Sequence, residues 1–185
     1  LTVSRLHPDK NIPTLLQAFS LYRANGGTWH LAIAGTGPEE TELKSLVPAI
    51  DQNAVHWLGW KEYQDLPDIY ASASCFVLPS LVEPWGLVVN EAMAAGLPVL
   101  VSQHCGCVPE LCWRGVNGYD FDPCNVSELA NLMRRMSCDE IDLATMGTVS
   151  RRIIGNFTLE NYSRAMIDCI RTTIQKVKVK REEDL

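Results

Sequence analysis

SCFVLPSLVEPWGLVVNEAMAAGLPVLVS, residues 74–102, is the stretch whose reading decides the fold. It opens on a continuous apolar run, SCFVLPS (74–80), and ends on a second, Pro98 to Val101. Between them a loop holds Glu83, Pro84, Trp85 and Gly86, and residues 87–95 carry a helical pattern. Continuous apolar strands, without polar alternation, belong to sheets covered on both faces. Strand, helix and strand in that order form a parallel crossover unit.

The alternation continues on both sides. Upstream, residues 1–4 read as a strand, 11–24 as a helix, 29–34 as a strand, 39–47 as a helix, 55–59 as a strand and 62–73 as a helix. Downstream, Gly118 to Phe121 reads as a short strand, followed by helices at 126–136, 140–155 and 159–177. The predicted fold is α/β, a Rossmann-like parallel sheet with helices on both faces. Ligands of such sheets bind beyond the carboxyl ends of the strands. The loops at 5–10, 35–38, 59–62, 79–86 and 102–107 are therefore the places to look for chemistry.

Composition narrows the classes. The chain has 185 residues, 46% hydrophobic and 21% charged, which suits one globular domain over 1–185 rather than a disordered segment. Its net charge of −6 argues against sequence-independent binding to nucleic acid. No apolar run approaches the roughly 18 residues of a membrane-spanning helix. The chain opens as a strand already under way, with no starting Met and no secretory leader, and reads as a piece of a longer protein. Seven cysteines, an odd number in a chain of this size, read as reduced thiols of a cytoplasmic protein. The tail KVKVKREEDL (176–185) reads as a solvated, fraying helix end.

Gly86 lets the backbone turn and lets a ligand approach. The amides of Gly86, Leu87 and Val88 would then point out of a helix start, which suits an anion. Glu83 and Glu91 flank that start, and a carboxylate reads hydroxyl groups by accepting their protons. Arg5 and Lys10 follow the first strand across a Pro-Asp turn. Arg offers a planar fork to phosphate oxygens and Lys a point charge. If the first strand lies beside the one ending at Pro79, both cations reach the same cleft. A diphosphate joining two sugars, as in a nucleotide sugar, fits that arrangement.

SRLHPDK (4–10), LAIAGTGPE (31–39), WLGW (57–60), residues 74–102, GCVPEL (106–111) and GVNGYDF (115–121), in this order, resemble the C-terminal, donor-binding half of a family 4 retaining glycosyltransferase of GT-B fold. The resemblance covers roughly residues 1–136. It implies a UDP-, GDP- or ADP-sugar donor, retaining transfer of a hexosyl group, and no obligatory metal or other cofactor. Arg5 and Lys10 match the basic pair on the donor diphosphate. Glu83 matches the carboxylate beside the donor sugar, and Arg5, Lys10 and Glu83 are the catalytic candidates. Glu91 matches the carboxylate on the ribose, and Trp85, Gly86, Leu87 and Val88 the loop and amides near the phosphates. Lys61 matches the main-chain contact to the base. The acceptor, a sugar, a lipid-linked group or another molecule, would be bound mainly by an N-terminal half absent from this chain. On this reading the piece alone binds donor without turnover, and any membrane association is peripheral, through parts not present. Two departures stand out: Ser4 occupies a usual Gly, and Cys107 stands where Gly-Gly is common.

Other groups offer alternatives. Asp120 and Asp122 look like a metal-binding D-x-D, but period-two alternation places them on one face of a strand anyway. Cys105, Cys107 and Cys112 with His104 lack the paired spacing of a zinc site. Gly35-x-Gly37 lacks the third glycine of a dinucleotide fingerprint. Competing functional readings are a nucleotide-binding module without turnover, an interaction domain that kept the fold, and an epimerase or phosphorylase on the same fold.

Overall fold

A computed structural model describes residues 1–138 and 140–183, with side chains described to Gln175. The expectation for the tail falls on side chains outside the described residues. Six strands alternate with helices: β1 (Thr2–Val3), α1 (Ile12–Ala24), β2 (Leu31–Ala34), α2 (Glu40–Leu46), β3 (Val55–Gly59), α3 (Leu66–Ala71) and β4 (Phe76–Leu78). There follow α4 (Leu87–Ala94), β5 (Val99–Ser102), α5 (Val108–Leu111), β6 (Gly118–Phe121), α6 (Val126–Met136), α7 (Leu143–Ile154) and α8 (Leu159–Glu183). The helix expected over 62–73 starts as a single tight turn, Tyr63–Asp65, before α3. The short α5, with Pro109 in its first turn, was not expected from the periodicity.

Every strand pairing is parallel, in two sheets of order β1-β2-β3 and β4-β5-β6. The two sheets abut along β1 and β4. The Val77 amide donates to the Leu1 carbonyl at 2.8 Å, and the Leu1 nitrogen donates to the Cys75 carbonyl at 3.0 Å. The chain thus winds outward from β1 to β3, returns beside β1, and winds outward again to β6. The reversal lies between β1 and β4, the position beyond whose strand ends ligands of such sheets bind.

Period-two alternation divides the core between the faces. Val77, Leu100, Tyr119 and Phe121 join one cluster with Leu15, Phe19, Leu129 and Met133 of α1 and α6. Phe76, Leu78, Val99 and Val101 join the other with Tyr70, Val89, Met93 and Ile153 of α3, α4 and α7. Both clusters are buried, which is why the strands read as unbroken apolar runs. No described helix is long and apolar enough to cross a membrane.

One side chain staples the seam. Asn11 adopts a left-handed conformation (φ 54°) before α1, which Asn tolerates better than most residues. Its Nδ2 donates to the Pro79 carbonyl at 3.1 Å and the Pro123 carbonyl at 2.8 Å, and its Oδ1 accepts from Thr14. The loop after β1 is thereby fixed to the ends of β4 and β6. Replacing Asn11 by Ala orphans two buried carbonyls and should lower unfolding free energy by about 2–4 kcal/mol, measured in urea. Cys75, Cys105, Cys107 and Cys112 are buried and the exposed Cys124 and Cys169 are not, so thiol labelling of the folded protein at pH 8 should spare the first four. Burial pushes the thiols of Cys75, Cys105 and Cys112 up to about 12 and that of Cys107 to about 11, which withholds their thiolates.

Candidate functional site

The candidate site is built from loop ends. Arg5 follows β1 directly, and Lys10 closes the short turn Pro8–Lys10. The Leu81 amide donates to the Asp9 carbonyl at 2.8 Å, so the loop after β4 lies against that turn. Lys10 Nζ reaches Glu83 Oε2 at 2.5 Å across the seam, with side chains 23% and 15% exposed. Two residues far apart in sequence are thus one ion pair, partly withdrawn from water.

Gly86 stands at the start of α4 in a left-handed conformation (φ 98°) that an L side chain rarely adopts. A Cβ there would sit 3.0 Å from Leu78 and 3.3 Å from Glu83 Cγ, so the glycine also packs the helix start against Glu83. The helix carries no side-chain cap. Among the described residues, the amides of Gly86, Leu87 and Val88 meet no acceptor. Three unpaired donors at the positive end of a helix suit an anion.

Arg5, Lys61 and Val88 line one cavity of about 200 Å3, together with Ser4, Gly35, Thr36, Trp60 and Leu66. Neither Arg5 nor Lys61 forms an ion pair among the described residues. Leu66 also lines a second cavity of about 370 Å3, in the groove between α3 and α4, where Glu91 stands beside Tyr63 and Tyr70. Val88 and Glu91 are three residues apart on α4 and share its face. The helix therefore presents its amino end to the first cavity and a carboxylate to the second. Trp85 lines neither. Its indole Nε1 donates to Asn90 Oδ1 at 3.0 Å, and its ring packs on the core and near Phe157.

The remaining candidates resolve into structural roles. Asp120 accepts from Gln103 at 2.8 Å and from Arg114 at 2.9 Å. Burial raises its carboxyl, but those hydrogen bonds and the Arg114 charge outweigh it and hold it below the usual carboxylate range. Asp122 Oδ1 accepts from the Cys124 amide at 2.9 Å. Both carboxylates are occupied within the protein. Among the described residues, no three His, Cys, Asp or Glu side chains gather as a metal-binding group. Cys107 has an ordinary helical backbone (φ −80°) and is fully buried, so the second glycine of a Gly-Gly pair is dispensable at this turn.

Sequence reasoning missed Asn11 and Tyr70. Asn11 carried the signal of a polar residue before a helix, which reads as an ordinary cap. Tyr70 lay on the apolar stripe of α3 and read as core. Its hydroxyl donates to Glu91 Oε2 at 2.7 Å.

Comparison with known proteins places these residues in a family. The model for glycosyl transferases group 1 matches residues 1–152. An amylovoran biosynthesis glycosyltransferase of Erwinia amylovora is 30% identical over 82% of this chain and 39% of its own length. An uncharacterized glycosyltransferase of Methanocaldococcus jannaschii is 38% identical over 70% of this chain and 33% of its own. The chain therefore spans well under half the length of these relatives. Among solved structures, Anabaena HepE in complex with UDP superposes with a TM-score of 0.78 at 26% identity, over 92% of this chain and 48% of that one. Sucrose-phosphate synthase from Thermosynechococcus elongatus gives 0.76 at 26% identity, over 95% and 46%. Both support the GT-B architecture.

The Glu83 loop depends on one close approach. The Gly106 amide donates to the Glu83 carbonyl at 2.9 Å, and a Cβ on Gly106 would lie 2.0 Å from the Pro84 carbonyl oxygen. Gly106→Ala should displace the loop that carries Glu83. We expect stability to fall by about 1–3 kcal/mol, the range for overpacking, measured by thermal unfolding. A variant as stable as the parent would show that the loop can yield.

Proposed function

The chain belongs to the group 1 glycosyl transferases, and on that premise we propose that it supplies the donor-binding half of a retaining transferase whose donor is a nucleoside diphosphate sugar. The observation that carries the reading is the common cavity of Arg5, Lys61 and Val88 of α4, with Glu83, paired to Lys10, packed against Gly86 at the start of that helix. HepE, to which the chain is similar, has been solved with UDP and with UDP-glucose. A diphosphate in the cavity would meet the Arg5 guanidinium and the free amides of Gly86, Leu87 and Val88. Lys10 would turn from Glu83 toward it. No metal is assigned, since cations and amides of the chain itself face the position.

The chemistry follows from charge. As the bond between the sugar and the phosphate breaks, negative charge grows on the departing diphosphate and positive character on the sugar. Donors fixed in advance on the phosphate side lower that barrier, each by about a hundred- to a thousandfold in rate. Glu83, freed from Lys10, would orient the sugar hydroxyls and face the cationic carbon. In this reading the acceptor attacks from the same face, and the second half of the protein binds it. Lys61, following β3, would meet the base through its main chain, and Glu91 would take the ribose hydroxyls.

Two measurements test the reading. Calorimetric titration of the chain with UDP, GDP and ADP should show binding of at least one, and no heat from any would favour an interaction domain. Arg5 is exposed and unpaired, so Arg5→Ala should change stability by no more than about 0.5 kcal/mol. In the complete enzyme the same variant should lower turnover by about a hundredfold or more. Unchanged turnover would remove Arg5 from the site.

A further inference from the structure

Glu91 is not a free carboxylate waiting on a helix. The Tyr70 hydroxyl donates to its Oε2 at 2.7 Å, from the opposite wall of the groove between α3 and α4. Tyr70 is itself buried, its ring set against Phe76 of β4 at a centroid distance of 5.9 Å. A ring held by the core on one side and a helix on the other has little rotameric freedom. Its hydroxyl therefore holds the carboxylate at a fixed place, while Glu91 Oε1 has no partner among the described residues. The phenol also keeps its proton. Burial, then the hydrogen bond and the charge of Glu91, push its pKa well above the ordinary tyrosine value.

Resting on the donor reading above, we infer that Tyr70 is the positioning residue that turns Glu91 into a selective reader of the ribose hydroxyls. It binds one carboxylate oxygen of a residue that lines the cavity shared with Tyr63, Leu66 and Pro67. A carboxylate free to rotate spends part of its binding energy on being ordered. One already oriented does not. The bond leaves Glu91 Oε1 wholly unpartnered among the described residues, so a hydroxyl donor there gains a charge-assisted hydrogen bond to an already oriented acceptor. Tyr70 shares the cavity wall with Glu91, and the role inferred for it is exerted through the carboxylate it holds.

The test compares ribonucleotides with analogues that lack the hydroxyls. UDP, GDP and ADP, and their 2′,3′-dideoxy counterparts, are titrated by calorimetry into the parent chain, Tyr70→Phe, Glu91→Gln and the double variant. The parent should prefer the ribose form by about tenfold or more, the scale of one hydrogen bond to a charged group. Tyr70→Phe should cut that preference at least about fivefold by weakening the ribose form alone, a difference double-variant comparison resolves. In the Glu91→Gln background it should change the preference no further. Equal weakening of both forms would make Tyr70 a packing residue and overturn the inference, as would an unchanged preference. If Tyr70→Phe unfolds, Glu91→Gln decides: a ribose preference that survives it ends the inference too. Absence of nucleotide binding by the parent would instead fail the donor reading, and this inference with it.

Discussion

The seam between β1 and β4 is the constraint on which the site depends. Parallel strands of this kind could stack in several orders with equal burial. Here the Leu1 carbonyl accepts from Val77, and Asn11 ties the loop after β1 to the ends of β4 and β6. The alternating inward and outward residues of β4 and β5 then lock the order, because each strand feeds both core clusters. Once β1 and β4 are neighbours, the loops after them must open toward each other. Arg5 and Val88 of α4 then line one cavity, and Lys10 meets Glu83 across the seam.

Convergence creates an electrostatic problem that the fold solves locally. A carboxylate as enclosed as Glu83 is costly to bury alone, and Lys10 offsets that cost. Attraction between the two exceeds its value in water, since both are partly withdrawn from solvent. Arg5 carries no such bond and stays exposed at the cavity's edge. The two cations therefore differ in kind. One is paired at rest and must leave Glu83 to meet an anion, and the other is available to an incoming anion at little desolvation cost. The unpaired amides of α4 add attraction without adding a side chain that must be ordered.

Much of this was legible in the sequence. Unbroken apolar runs gave the buried strands, and Gly86 before a helical pattern gave the anion site, because both follow from periodicity and backbone freedom. Arg5 and Lys10 followed from their place after the first strand, and the resemblance supplied Lys61. Pairing was not legible. Whether Lys10 faces Glu83 or solvent depends on strand order, which hydrophobic alternation leaves open. Tyr70 and Trp85 show the same limit from opposite sides. Both are aromatic residues near the motif, yet Tyr70 turns its hydroxyl into the groove while Trp85 spends its indole N–H on Asn90. Side-chain direction of that kind is set by packing between helices distant in sequence. Asp120 and Asp122 mark a related limit: the two-residue period set the metal reading aside, but it could not reveal that Arg114 and Gln103 occupy Asp120.

The two glutamates of the motif end in different electrical states, and the difference bears on how the site works. Glu83 is held by a cation, so its charge is neutralised at short range while Lys10 stays in place. Glu91 is held by a neutral phenol, which fixes its position and leaves its charge intact. A ligand carrying hydroxyl groups meets a prepared acceptor at Glu91 from the first encounter. At Glu83 it meets one only after an anion has drawn Lys10 away. On the proposed donor reading the arrangement would order recognition in space: hydroxyl groups would be read at the α3–α4 groove without help, and at the seam only in company with a diphosphate. A ligand with a phosphate and no sugar would break the ion pair without repaying Glu83 for its lost partner. One with both would satisfy each charge in turn, which is the selectivity expected of a cleft for a nucleotide sugar.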